Sequence, residues 1–81
     1  MDKRIALIGI ILDDPSSVDK LNAILHDYAT LIIGRMGLPL RDRGISIISV
    51  VAEGTLSDIS SLSGKLGRLS GVSVKVSYAK S

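Results

Sequence analysis

The sequence predicts an α+β fold, a βαββαβ sandwich in which a four-stranded antiparallel sheet carries both helices on one face. Three observations predict it. Aliphatic runs near the start and the middle of the chain are apolar on both sides, as central strands are. Two segments repeat apolar residues every three or four positions, the period of an amphipathic helix. The final segment alternates apolar and polar residues, which is typical of a strand with one buried face.

The first strand is predicted for Arg4 to Leu12, where odd and even positions are both aliphatic. Basic residues followed by an apolar run also imitate a secretory signal. However, Asp13, Asp14 and Pro15 stand where a cleavage site needs small residues, so we interpret the run as a strand. It is far shorter than the ~20 residues of a membrane span. We therefore expect no membrane association and a cytoplasmic location.

The first helix is predicted to begin near Pro15. Either Asp14 caps it, with Pro15 at the first helical position, or Ser16 caps it, with Asp19 three residues further on. An apolar stripe at spacings of three and four residues then predicts the buried side of this helix: Val18, Leu21, Leu25, Tyr28 and Ile32.

The middle of the chain is predicted to form two strands joined by a turn at residues 41–44. In IGRMGLPL, residues 33–40, Pro39 cannot donate a hydrogen bond to a neighbouring strand, so this strand lies at an edge or is irregular. The run from Ile45 to Ala52 is apolar on both sides and is predicted to be the second central strand.

The second helix is predicted to start at Thr55, because Asp58 three residues later completes a capping box. Its buried stripe is predicted to consist of Leu56, Ile59, Leu62, Leu66 and Leu69. Gly71 fits the left-handed position that ends the helix before the last strand, Val72 to Tyr78. Together these elements predict a ferredoxin-like fold, with residues 1–81 forming one domain.

The segment SLSGKLG in the second helix contains a Gly-Lys pair that could suggest a phosphate loop. It continues a helical pattern instead of joining a strand to a helix, and Leu66 follows Lys65 where Ser or Thr is required, so we reject that reading. A flank of small residues lies beside the leucine stripe: Ser60, Ser63, Gly64 and Gly67. We expect the first helix to approach closely there, with a ligand or a subunit as the alternative.

The composition argues against most catalytic and metal chemistry. The 81 residues include no Cys and one His, so thiolate catalysis and a transition-metal site are not expected. Asp13 and Asp14 could ligate Mg²⁺ or Ca²⁺, but acids before a helix-opening proline are better explained as capping groups. Scattered basic residues and the lack of Trp and Phe disfavour nucleic-acid binding. We therefore expect no catalytic residues, no metal and no cofactor.

The aliphatic content exceeds what two helices on one face can cover. Hydrophobic residues make up 46% of the chain. Either Ile5, Leu7, Ile11, Ile45, Ile47 and Val51, or Ala6, Ile8, Ile10, Ile48, Val50 and Ala52, are left without cover. We therefore predict a homo-oligomer, a dimer or a tetramer, whose subunits meet through the helix-free sheet face. Ser73, Lys75 and Ser77 of the last strand are expected to form a polar margin to this contact.

Two stretches, residues 34–51 and 62–76, resemble a small bacterial family described as regulators of iron-only hydrogenase systems, a description that reflects genomic association more than known chemistry. The most specific features are Arg35-x-Gly37-x-Pro39 and the segment from Ser63 to Val72. The resemblance implies an ACT-like module, similar to the sensor domain of the nickel-responsive repressors. It implies an oligomeric ligand-sensing or interaction module, linked to transcriptional regulation but without a DNA-binding segment of its own.

Two departures from these relatives bear on ligands. Amino-acid-binding ACT domains resemble one another in an Asp-x-Pro-Gly loop, whereas Ser16 follows Pro15 here. The nickel sensors bind metal through His and Cys, where this chain has Leu38, Leu40 and Ser46, so nickel is not expected. A small-molecule effector is expected, at a subunit boundary, near Asp13, Asp14, Ser16 and Arg35. The alternatives are a purely structural oligomerisation protein and, with less support, an acylphosphatase-like enzyme.

Overall fold

In the computed structural model, which describes residues 2–80, four strands form one antiparallel sheet and two helices pack on one of its faces. The strands are β1 (Arg4–Leu12), β2 (Ile32–Leu40), β3 (Ile45–Gly54) and β4 (Val72–Tyr78), and the helices are α1 (Val18–Asp27) and α2 (Leu56–Gly67). Short 3-10 turns at Pro15–Ser17 and Arg41–Arg43 precede α1 and β3. The strand order β2-β3-β1-β4 places β1 and β3 at the centre. The predicted ferredoxin-like fold is confirmed.

The core lies between the helices and one face of the sheet, which we call the covered face. The even-numbered residues 6–12 of β1 and 48–54 of β3 are buried there, Ala6, Ile8 and Val50 completely. The helices contribute Leu21, Leu25, Ile59, Leu62 and Leu66. Burying a large aliphatic side chain contributes about 1.5–3 kcal/mol, so this layer supplies most of the driving force for folding.

The capping box at the start of α2 is present as predicted. The Thr55 hydroxyl oxygen accepts a hydrogen bond from the Asp58 amide at 3.1 Å, and the Asp58 carboxylate accepts one from the Thr55 amide at 3.2 Å. These two bonds satisfy backbone donors that the first helical turn leaves free. At the other end, Gly71 adopts the predicted left-handed conformation, with φ of 69°.

Helix α1 is shorter than predicted. It ends at Asp27, and Ile32, which was expected to continue its buried stripe, is the first residue of β2, where it pairs with Ala52. A turn separates the two, since the Leu31 amide donates to the Tyr28 carbonyl at 2.9 Å. The Leu31 carbonyl in turn accepts from the Glu53 amide at 2.8 Å, so β3 draws this segment into the sheet. Pairing with a neighbouring strand outweighs the helical period.

The predicted buried stripes also fail at their first residues. Leu56 is 52% exposed, although its spacing matched the stripe of α2. At about 100° per residue, Leu56 lies roughly 90° from the centre of the arc that contains Ile59, Leu62 and Leu66, at the margin of the buried side. Val18, in the first turn of α1, is likewise exposed.

Strand β2 is an edge strand and is irregular, as Pro39 predicted. Its register with β3 shifts between Ile32 and Gly34, which leaves Ile33 as an extra, exposed residue. A bulge and a proline both discourage further strand pairing along an edge. Across residues 2–80, neither helix has the length and apolar character needed to cross a membrane.

Candidate interaction surface and ligand site

The sheet face that turns away from the helices, here called the open face, is mostly apolar and uncovered. It carries the odd-numbered residues of β1 and β3 and the alternate residues of β2 that pair with them. Its large exposed side chains have between 36% and 71% of their surface accessible: Ile5, Leu7, Ile11, Met36, Leu38 and Ile47. Of the two sets between which the sequence left the choice open, the one that contains Leu7 is therefore the uncovered set.

Cross-strand pairing arranges the open face into rows that run across the sheet from β2 to β4. The Gly34 row consists of Gly34, Val51, Leu7 and Ser77. The Met36 row consists of Met36, Ser49, Gly9 and Lys75. The Leu38 row consists of Leu38, Ile47, Ile11 and Ser73. Every residue that β4 contributes to these rows is polar and exposed. The apolar area is thus confined to β2, β3 and β1, with β4 as its polar margin.

The loop after β1 is held by a network of hydrogen bonds around Asp14. One carboxylate oxygen accepts from the Ser16 amide at 3.0 Å and from its hydroxyl at 2.7 Å, and the other accepts from the Ser70 hydroxyl at 2.9 Å. The bonds from Ser16 first, and the one from Ser70 second, hold the pKa of the Asp14 carboxyl below its ordinary value. Asp14, not Ser16, is thus the capping residue, and it caps the 3-10 turn that precedes α1.

Further bonds fasten the same loop to the turn before β4. The buried Ser17 hydroxyl donates to the Ser70 carbonyl at 2.7 Å, and the Asp13 amide donates to the Gly71 carbonyl at 2.8 Å. A methyl group at Gly71 would lie 2.4 Å from the β-carbon of Asp14, so only glycine fits there. The predicted loop residues Asp13, Asp14 and Ser16 therefore serve a structural connection in this subunit.

Arg35 lies on β2, at the sheet edge opposite β4, and has a different partner. Its guanidinium donates to the Asn22 side-chain carbonyl of α1 at 3.3 Å. Both residues line a shallow cleft of about 250 Å³ between α1 and β2, with Pro39 and Ser46 further along it. The hydrogen bonds of the described residues thus place Asp14 and Arg35 at two separate positions of the subunit.

A contact that the residue pattern does not predict links the end of α1 to α2. The Tyr28 hydroxyl lies 2.8 Å from the Ser61 hydroxyl, and the Lys65 ammonium lies 5.1 Å from the centre of the Tyr28 ring. The Ser61 hydrogen bond, and then Lys65, lower the pKa of the Tyr28 hydroxyl. The spacing of Ser61 and Lys65 places them on one side of α2, but only the tertiary structure brings Tyr28 to that side.

This contact also overturns the expected use of the small-residue flank. Helix α1 approaches α2 beside Ser61 and Lys65, on the opposite side of the leucine stripe from the flank. A β-carbon at Gly64 or Gly67 would have no atom within 4 Å outside the local helix, so α1 does not pack closely against either glycine. The prediction of a close helix approach there is wrong.

In the part of the chain that the structure describes, no three His, Cys, Asp or Glu side chains are grouped to hold a metal ion.

A family model described as TM1266-like, iron-only hydrogenase system regulator, matches residues 4–76. The chain belongs to this family. The description is provisional, and it places TM1266-like proteins among regulators. The resemblance found at residues 34–51 and 62–76 is thereby confirmed.

Solved structures agree with this assignment. The structure of the uncharacterized protein TM1266 from Thermotoga maritima is similar with a TM-score of 0.94 and 35% identity, over 98% of this chain and 100% of that one. The C-terminal domain of the MgtC protein from Mycobacterium tuberculosis has a TM-score of 0.73 and 14% identity, over 94% and 87%. An unknown protein from Galdieria sulphuraria has a TM-score of 0.66 and 13% identity, over 99% and 47%. The last two share the fold alone, and no curated protein matches the sequence.

Proposed function

We propose that this protein is an oligomeric, ACT-like regulatory module that acts by binding a small effector or a partner protein and not by catalysis. The observation that carries the proposal is the open face, whose aliphatic side chains have no cover within the subunit. The family's description as regulators supports the regulatory part. Under this proposal residues 1–81 work as one domain, in the cytoplasm, without direct contact to nucleic acid.

The energy lost at the open face supports oligomerisation. Six large side chains are about half exposed, which forgoes on the order of 5 kcal/mol of hydrophobic stabilisation per subunit. That figure is comparable with the entire stability of a small domain, about 5–15 kcal/mol. A second copy presents the same apolar area, so a symmetric contact covers both faces at once.

We place the effector, if it is a small molecule, at a boundary between subunits formed by Asp13, Asp14, Ser16 and Arg35. Asp14 is tied to the turn before β4, whereas Arg35 lies on β2 at the other edge of the sheet. We therefore propose that a ligand touching both groups does so where two subunits meet. Arg35 is the better anchor, because its guanidinium has one weak partner at 3.3 Å, whereas both carboxylate oxygens of Asp14 already accept bonds.

Sedimentation equilibrium at micromolar concentration tests the oligomer. We expect wild type to sediment as a dimer or tetramer of the 8.6 kDa chain and Leu7→Asp to sediment as a folded monomer. Ser77→Asp is the matched control, because Ser77 pairs with Leu7 across the sheet but lies in the polar margin. A folded wild-type monomer would overturn the proposal.

Native mass spectrometry of the freshly purified protein separates the sensing role from a purely structural one. A retained small molecule that raises the melting temperature, and that Arg35→Ala releases, supports the effector and its position. Binding that is unchanged in both Arg35→Ala and Ser16→Arg would place the effector elsewhere. Stable oligomers without any retained molecule favour the structural oligomerisation protein.

A further inference from the structure

Gly9 stands in the middle of the central strand β1 without any need for glycine inside the subunit. Among the described residues only Gly44 and Gly71 have positive φ, so the Gly9 backbone is open to any residue. A β-carbon at Gly9 would have only the Lys75 carbonyl oxygen nearby, at an ordinary 3.9 Å. Glycine weakens a strand interior and often marks a place where another surface comes close. A surface that packs closely on the open face from outside the subunit would account for Gly9.

Gly34 is a second glycine of this kind on the open face. It pairs with Val51, and a β-carbon there would have no neighbour within 4 Å. Its φ is not positive either. Gly9 and Gly34 thus form two hollows in a face whose other central residues are mostly large and apolar, with Ser49 as the exception.

The hollows and two protruding side chains, Leu7 and Met36, which we call knobs, lie on opposite strands in adjacent rows. Where one row has its hollow on β2 and its knob on β1, the next row has the knob on β2 and the hollow on β1. In the Gly34 row, glycine lies on β2 and Leu7 on β1, whereas in the Met36 row, methionine lies on β2 and Gly9 on β1. Strand β3 separates the two positions in both rows. Leu7 is 50% exposed and Met36 is 71% exposed, so both side chains stand free above the sheet.

We infer that a second copy of this chain packs on the open face about a two-fold axis that runs parallel to the strands above β3. Such an axis exchanges the positions of β1 and β2 and keeps each row in place. Met36 of each copy then lies over the partner's Gly9, and Leu7 lies over the partner's Gly34. This inference rests on the proposed oligomerisation through the open face and specifies its arrangement.

The polar margin favours this axis over a parallel axis that lies nearer to β4. With the axis above β3, the contact contains β2, β3 and β1, and β4 with Lys75 stays outside it. An axis midway between β3 and β1 would instead place Met36 over the partner's Lys75, which brings a charge against apolar surface at a considerable cost. The fit of knobs into hollows and the position of the Lys75 charge therefore both favour a two-fold axis above β3.

The size of the contact makes this fit necessary. Three strands spaced by about 4.8 Å and seven residues at about 3.3 Å give a face of roughly 14 by 23 Å, or ~300 Å² in projection. Two such faces bury ~600 Å² in projection, and more as accessible surface because their side chains stand up from the sheet; a specific interface needs about 1,000 Å². The area is thus near the lower limit for a stable dimer, so complementary shape has to supply the specificity.

Valine substitutions at three glycines test the arrangement by sedimentation equilibrium over a range of concentrations. Gly9→Val and Gly34→Val should raise the dimer dissociation constant by about tenfold or more, because each fills a hollow in both copies. Gly37→Val is the control, since Gly37 lies on the same edge strand but pairs with Ile48 on the covered face. Circular dichroism checks that the variants fold, and valine should not weaken the strands, because it favours β structure.

A double variant that swaps the large and the small side chain of one row provides the decisive experiment. The double variant Gly9→Met with Met36→Gly moves the knob to β1 and the hollow to β2, so association should recover relative to Gly9→Met alone. If Leu7→Asp dissociates the protein while the glycine variants associate like wild type, the open-face oligomer stands and this arrangement is wrong. If wild type itself is monomeric, both the oligomer and the arrangement fail.

Discussion

The two faces of the sheet contain similar aliphatic residues but differ in whether the helices bury them. On β1, Ile8 is fully buried beneath the helices, whereas the adjacent Leu7 is 50% exposed on the open face. The residue types do not separate the two positions. The helices do, because both pack on the same side. An apolar run on a central strand therefore indicates that both faces need cover without indicating what supplies it.

The largest expected difference between the faces comes from truncating neighbouring isoleucines. Ile10→Ala should lower the free energy of unfolding by about 2–5 kcal/mol, because it opens a cavity in the core. Ile11→Ala truncates a side chain that is 45% exposed in the subunit and should cost only about 1 kcal/mol in the monomer. Urea denaturation of both variants, at several protein concentrations, separates the monomer effect from association. Equal losses at high dilution would contradict the assignment of the two faces.

A glycine required inside the subunit should behave unlike those of the open face. Gly71→Ala should destabilise the protein by about 2 kcal/mol or more, since φ is 69° and the added methyl group would collide with Asp14. Gly37→Ala is the control, with no atom within 4 Å of the added group, and should leave stability nearly unchanged. Thermal unfolding measures both, and a neutral Gly71→Ala would mean that the connection to the β1 loop contributes little.

The start of α2 allows a smaller test of how the covered face is assembled. Thr55→Ala removes the hydroxyl that accepts from the Asp58 amide and should cost about 1 kcal/mol in urea denaturation. Ser57→Ala, two residues further along α2, is the matched control and should change stability by a few tenths at most. Because the cap lies on the covered side, association should not change in either variant. A loss of association in Thr55→Ala would show that the faces are coupled.

The smallest expected effect is a pH dependence at the β1 loop. Hydrogen bonds lower the pKa of Asp14 in the folded protein, so the stabilisation is present above the ordinary carboxyl pKa of about 4 and is lost as pH falls through the lower folded value. Wild type should thus lose stability relative to Asp14→Asn below about pH 4, and the difference between them should be constant above about pH 5. Thermal unfolding at a series of pH values, from well below about pH 4 to above about pH 5, measures it. A difference that grows on acidification would contradict the sign of the shift.

Much of the fold could be predicted from the sequence because the relevant signals are local. The Thr55 capping box, the edge character of the Pro39 strand and the left-handed Gly71 each depend on residues close in the chain, and the structure confirms all three. Ile32 could not be assigned in this way. Its spacing continues the stripe of α1, and only pairing with Ala52 on β3 places it in a strand.

The candidate sites depended more on tertiary structure. Asp14 and Arg35 were expected to share one ligand at a subunit boundary, and within the subunit their partners differ: Ser70 in the turn before β4 and Asn22 on α1. The hydrogen bond between Tyr28 and Ser61 joins the residue that follows α1 to a residue of α2. The order of the elements, their caps and turns, and the excess of aliphatic side chains can be inferred from the residues alone, because these follow from neighbours and periodicity. The identity of the open face and the rows that the hollows and knobs share require the three-dimensional fold, since both depend on where distant segments pack and on the register between strands.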